Sequence, residues 1–249
     1  MSWFIFAFLG AFLWAIGNFI DKILTTRFGS ENIALWTLVL YSSLFSILLL
    51  PVLFYWRSSE ILASDPVYIF ILIAAGLIEM VGIILYLKVL MREDASTVVP
   101  FFQSIPVFSF ILGYLVLGEM LHQSQILAGL GVILGGVLLS LEISSERKVR
   151  FNGRLISLML LSSVCYALFD TLFKVGGLGL DFWPAVFWQH VGITLTGIAI
   201  LIWKTDSRRQ FIRTLRDQRP EILGLNMLNE LLYVAGIMLT TYALLLAPI

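Results

Sequence analysis

The sequence predicts an all-α fold, a polytopic bundle of about eight transmembrane helices that reads as an incomplete version of a ten-helix plan of two inverted five-helix repeats. Three observations predict it. Of 249 residues, 59% are hydrophobic and 13% charged, with a mean hydropathy of +0.96, too apolar to cover a water-soluble domain of that length. Several uncharged stretches reach the roughly 18 to 20 residues that cross a hydrocarbon core as a helix. Basic residues crowd into alternate connections between these stretches.

Taken in order, residues 1–20 form the first span. This stretch lacks a basic leader and a small-residue cleavage site, so it is expected to be retained. The second span covers 32–56 and ends on Tyr55 and Trp56, rings that settle among headgroups. The third, around 67–90, carries Glu79 near its middle. The fourth, 95–118, contains Pro100 and Pro106, which free backbone carbonyls around Gln103 and either widen a cavity or only kink the helix. The fifth, 120–141, carries Gly131, Gly135 and Gly136, a small-residue face for a close partner helix or for a second copy of the chain. The sixth, 153–174, and the eighth, 222–246, contain Asp170 and Glu230; the seventh, 182–203, is uncharged.

Fourteen of the 16 basic residues fall on one side of the membrane, leaving Arg57 and Lys174 on the other. The positive-inside rule then puts the 144–154 and 204–221 loops in the cytoplasm and the N-terminus outside, in a cell (inner) membrane. Within the second loop, the run from Lys204 to Pro220 has the pattern of a surface helix with Phe211, Ile212 and Leu215 toward lipid and arginines toward phosphates, or of a solvated loop whose charges only set topology. A formal net charge of zero gives no reason to expect nucleic acid as a partner. The single cysteine, Cys165, excludes a disulfide framework and a cysteine metal site, and no cofactor is expected.

An offset of 152 residues pairs Trp14 with Tyr166, Asn18 with Asp170, Lys22 with Lys174 and Trp36 with Trp188, and an offset of 151 pairs Glu79 with Glu230. Polar residues thus recur at similar depths in corresponding spans, which points to duplication. An odd number of helices per copy inserts the two copies upside down relative to one another. The expected division is a first repeat over 1–143, a cytoplasmic linker over 144–152 and a second repeat over 153–249 that stops after its third helix, two helices short.

Residues 95–140 carry a recognisable pattern: a proline-bearing fourth helix, a turn at Leu117, Gly118 and Glu119, and a glycine-rich fifth helix; the opening FLWAIGNFIDK adds a first-helix match. The chain in this respect resembles EamA-type permeases of the drug/metabolite transporter superfamily. The resemblance implies ten helices in two inverted repeats that move metabolites, amino acids or drugs, often outward, by alternating access. Many such proteins place both termini in the cytoplasm, whereas the charge split here argues for the reverse.

The candidate residues follow from cost. A carboxylate in mid-membrane costs roughly 3 kcal/mol on insertion scales, so Glu79 must face other helices or water. Glu230, its counterpart, shares a face with Asn226 and Tyr233, as Glu79 does with Tyr86. The two carboxyls are expected to converge on a central cavity as substrate or proton carriers, or else to bond neighbouring groups between packed helices. Trp14, Asn18 and Lys22 line one stripe of the first helix, and Tyr166, Asp170 and Lys174 one stripe of the sixth. These stripes form either a binding surface or a set of mutually neutralised and snorkelling charges. His190 either relays protons or is satisfied locally, and only one of Gln189 and His190 can face a given cavity.

Transport of a small molecule, proton-linked or facilitative, is the reading these residues favour. An intramembrane enzyme needs a nucleophile and base or a metal cluster, and there is no Gly-x-Ser-x-Gly or His-Glu-x-x-His pattern. A non-transporting scaffold or inactive fragment is the remaining alternative.

Overall fold

The computed structural model describes residues 2–27, 31–118, 153–217 and 220–246, with isolated positions between 120 and 135. The described residues are helical almost throughout, in the order α1 (Ser2–Arg27), α2 (Glu31–Leu62), α3 (Pro66–Leu90), α4 (Ala95–Val98), a 3₁₀ stretch (Val99–Ser104), α5 (Ile105–Leu117), α6 (Gly153–Gly179), α7 (Phe182–Trp203), α8 (Thr205–Asp217) and α9 (Pro220–Leu246). Among the described residues, seven spans are long and apolar enough to cross a membrane. The protein is a polytopic helical membrane bundle. Most of the expected fifth span, the 144–152 linker, Glu119, His122 and Gly136 lie outside the described residues.

Two boundaries differ from expectation. Helix α2 does not stop at Trp56: it runs to Leu62 through a local break at Arg57 (φ −132°, ψ 29°), where the Arg57 guanidinium bonds Glu60 at 2.6 Å. The fourth span is not one continuous helix. Each proline occupies the first turn of a new segment, Pro100 in the 3₁₀ stretch and Pro106 in α5, because a missing N–H is harmless there and disruptive further in. Freed backbone is re-satisfied by hydroxyls, with Ser104 and Ser163 both donating to the Phe101 carbonyl at 2.7 and 3.3 Å. Helix α5 ends on Gly118 in the left-handed region (φ 69°), whose N–H reaches the Gly113 and Tyr114 carbonyls.

Helix α1 packs antiparallel on α9, and α6 packs on α3; α2 and α7 cross each other, and α3 also crosses α7. Small residues set these contacts. Gly76 and Gly192 bring α3 and α7 to backbone contact, so that a Cβ on Gly76 would fall on the Gln189 carbonyl oxygen and one on Gly192 on the Ile73 carbonyl oxygen. Ser43 Oγ of α2, close against Gly197, donates to the Val39 and Ile193 carbonyls at 3.0 and 3.4 Å.

Three side chains take definite places. The Lys22 ammonium donates to the Leu90 and Glu93 carbonyls at 3.0 and 2.8 Å and lies 3.9 Å from Asp94, capping the end of α3 where exposed carbonyls favour a cation. Lys174 is buried within the bundle, at 7% exposure. On α8, Phe211 turns inward and meets the Tyr41 ring edge-on at 5.2 Å, because the helix rests against α2; Ile212 and the arginines at 208, 209, 213 and 216 remain exposed. The side chain of Leu215 lies outside the described residues.

Candidate functional site

The polar residues of the spans meet inside the bundle. Glu79, 1% exposed at mid-α3, accepts a hydrogen bond from Gln189 Nε2 of α7 at 2.5 Å, a contact that the Gly76–Gly192 crossing makes possible. Glu230 of α9 accepts from Ser42 Oγ of α2 at 2.7 Å. Both carboxyls face one interior space. A smaller chamber of about 40 Å³ has Asp21, Ser42, Glu79, Tyr86, His190 and Glu230 in its wall. A larger one of about 330 Å³ is walled by Trp14, Asn18, Phe102, Gln103, Pro106 and Tyr166 among others. Glu79, Ile83, Tyr166, Tyr233 and Ile237 border both, so the two chambers adjoin. The larger is within the range of pockets that take small ligands, roughly 300 to 1,000 Å³.

Between them runs a network that joins α1, α3 and α9. Tyr86 and Tyr233 both donate toward Asn18 Oδ1, at 3.1 and 3.0 Å, and Tyr233 also lies 2.8 Å from Asp21 Oδ2. Asn229 Nδ2 donates to Asp21 Oδ1 at 2.8 Å. A phenol has one proton, so Tyr233 divides it between Asn18 and Asp21.

Of the residues singled out by sequence, Trp14, Asn18, Glu79, Tyr86, Gln103, Tyr166, His190 and Glu230 line the cavity. Asp170 and Lys174 do not: they lie one and two turns further along α6 and are not among the residues of either chamber. Gln189 and His190 divide as adjacent helix positions must, Gln189 bonding Glu79 while His190 joins the chamber wall. The His190 Nδ1 is 2.9 Å from the Val186 carbonyl, which only accepts, so Nδ1 carries the proton.

Asp21, Ser42 and Asn229 were missed as site residues. Asp21 lies three residues beyond Asn18, on the same face, and Asn226, Asn229, Glu230 and Tyr233 recur at i, i+3, i+4 and i+7. That spacing is a polar stripe, and it was the available signal.

A polar cavity among apolar spans suits carriage of a small solute, and comparison with known proteins agrees. The sequence profile of the EamA-like transporter family matches residues 1–141, more than half of the chain. The chain belongs to the EamA-like transporter family. It is therefore a multi-pass membrane transporter of the drug/metabolite type, from a family of transporters and not of enzymes, with the lipid bilayer and a small-molecule substrate as its partners. Among curated proteins, none matches this sequence. About a third of the cavity wall comes from beyond the matched residues: Tyr166, His190, Asn229, Glu230 and Tyr233 all follow residue 141.

Proposed function

We propose that the chain exports a small metabolite, amino acid or drug-like compound by alternating access, with Glu79 and Glu230 exchanging protons as the cavity opens to either side. One observation carries this reading. Two carboxyls from spans 151 residues apart in sequence line a single interior space, one beside the glutamine amide of α7 and the other beside the serine hydroxyl of α2. Membrane carboxyls are expensive to keep, and groups that exchange a proton in a shared cavity are a common reason for keeping them.

The reading includes two repeats, 1–143 and 153–249, joined by a 144–152 linker. Reciprocal packing supports it: α1 lies on α9 as α6 lies on α3, and α2 crosses α7, as a pseudo-two-fold between corresponding spans requires. The distribution of basic residues supports an N-terminus outside, in an inner membrane. Any self-association belongs on the face of Gly131 and Gly135, where no described atom lies within 4 Å of a built Cβ.

The test is solute flux in proteoliposomes under an imposed pH gradient. Glu79→Gln keeps an acceptor for Gln189, so the protein should insert and fold normally while pH-driven flux is lost. Undiminished pH-driven flux in that variant overturns the role given to Glu79.

A further inference from the structure

We infer that the ligand of this cavity is an organic ammonium, a protonated amine with two or three N–H donors and an apolar body. The inference rests on the transport reading above and names the substrate class of the same site.

The acceptors of the smaller chamber are to be set against its donors; a donor unpartnered among the described residues, Trp14 Nε1, belongs to a residue of the larger chamber and packs against Gly236. Among the described residues, no lysine or arginine lines either chamber, while Asp21, Glu79 and Glu230 all do. Each carboxylate offers up to four lone-pair positions, more than the donors that the described residues bring to it: Asn229 and Tyr233, with Tyr86 close by, for Asp21, Gln189 for Glu79, Ser42 for Glu230. Carboxyls alone define no site. Two further groups turn the excess into a demand for a ligand. The Nε2 of His190, a residue with no exposed surface, has no partner among the described residues; with Nδ1 donating to its own helix, Nε2 of the neutral ring is an acceptor, and His190 belongs to the chamber wall. The Oδ1 of Asn229, 3% exposed and in the same wall, is likewise unpartnered. Its Nδ2 is committed to Asp21, so what remains is also an acceptor.

Buried acceptors without donors cost free energy, and a donor supplied by a ligand recovers it. A carboxylate or phosphate solute brings more acceptors and a like charge. A neutral alcohol brings one donor. An ammonium brings several donors and the compensating charge, and the larger chamber is ready for its carbon skeleton: Trp14, Phe102, Tyr166, Phe169 and Tyr233 line it, and their ring faces attract cations.

The experiment uses the purified full-length chain in detergent, titrated with three probes of similar size: 2-phenylethylammonium, 2-phenylethanol and phenylacetate. Binding is read by tryptophan fluorescence, with Trp14→Phe identifying the cavity signal. The ammonium should bind at least about tenfold more tightly than either analogue, the scale of one charge-assisted hydrogen bond. Asp21→Asn should weaken the ammonium by about tenfold and change 2-phenylethanol by less than about twofold. Equal or tighter binding of the neutral or anionic probe overturns the inference, and so does failure of all three to bind. The wild-type ranking decides the matter even where Asp21→Asn does not fold. Ammonium binding without pH-driven flux upholds the ligand class and removes the proton coupling proposed above. Flux of solutes with no preference for ammonium leaves that coupling and removes the ligand class.

Discussion

The two glutamates sit in seams of opposite construction. Around Glu79, α3 and α7 are in backbone contact through Gly76 and Gly192, and the Gln189 side chain has no exposed surface. Around Glu230, α9 and α2 touch sparsely, and the Ser42 hydroxyl bridges them. One seam is held by shape and the other is bridged by a hydrogen bond. A backbone crossing loses many contacts at once when it parts, whereas a serine hydroxyl is replaced by water at little cost. The difference teaches which of the two carboxyls sits in a close-packed seam and which in a sparse one.

The sharpest way to break this comparison is Gly192→Ala. Its Cβ meets the Ile73 carbonyl oxygen, a backbone atom that cannot swing aside, so α3 and α7 must move apart. A loss of about 3 kcal/mol in thermal unfolding of the purified protein is expected; a loss below about 1 kcal/mol would mean that the seam is not held by shape. Phe211→Ala comes next. It removes the ring that rests edge-on against Tyr41 and should cost about 2 kcal/mol. Faster amide exchange confined to 205–217 and the adjoining half of α2 would be the signature, and unchanged exchange would show that α8 does not brace α2. The smallest effect belongs to Ser42→Ala, about 1 kcal/mol. It should nevertheless change flux more than Gly192→Ala does per unit of stability lost, because it acts at the sparse seam. If it changes neither, the α2–α9 seam is not where the protein opens.

The spans were legible because hydropathy and length are local properties, and Glu79 and Glu230 stood out because a charge in such a run is costly. Prolines announced the break in the fourth span, though not that the chain there would turn 3₁₀. Asp21 was hidden by its neighbour: beside Lys22, and past residue 20, it reads as a charge at the end of a span. Only the extension of α1 to Arg27, and the reach of Lys22 back to the carbonyls that end α3, bring Asp21 into the interior. Ser42 and Asn229 are ordinary polar residues within helices, and what brought each into the site is a partner on a distant span, Glu230 for Ser42 at a separation of 188 residues and Asp21 for Asn229 at 208. The stripe Tyr166, Asp170, Lys174 failed in part for the same reason, since one face of a long helix meets different neighbours at different heights. The inward turn of Phe211 depends on where α8 lies against α2, which its own periodicity does not contain.

The six residues of the 3₁₀ stretch, Val99–Ser104, bear on dimensions as well as on hydrogen bonding. Such a helix climbs about 2.0 Å per residue where an α-helix climbs about 1.5 Å, and it stacks positions i and i+3 directly above one another. Val99 with Phe102, and Pro100 with Gln103, accordingly form two vertical files, and the upper member of each, Phe102 and Gln103, lines the chamber. Rewinding that stretch to α geometry would shorten the span by about 3 Å and turn the files out of line, so the thickness of membrane this segment matches and the pattern it presents to a solute are set by the same six residues.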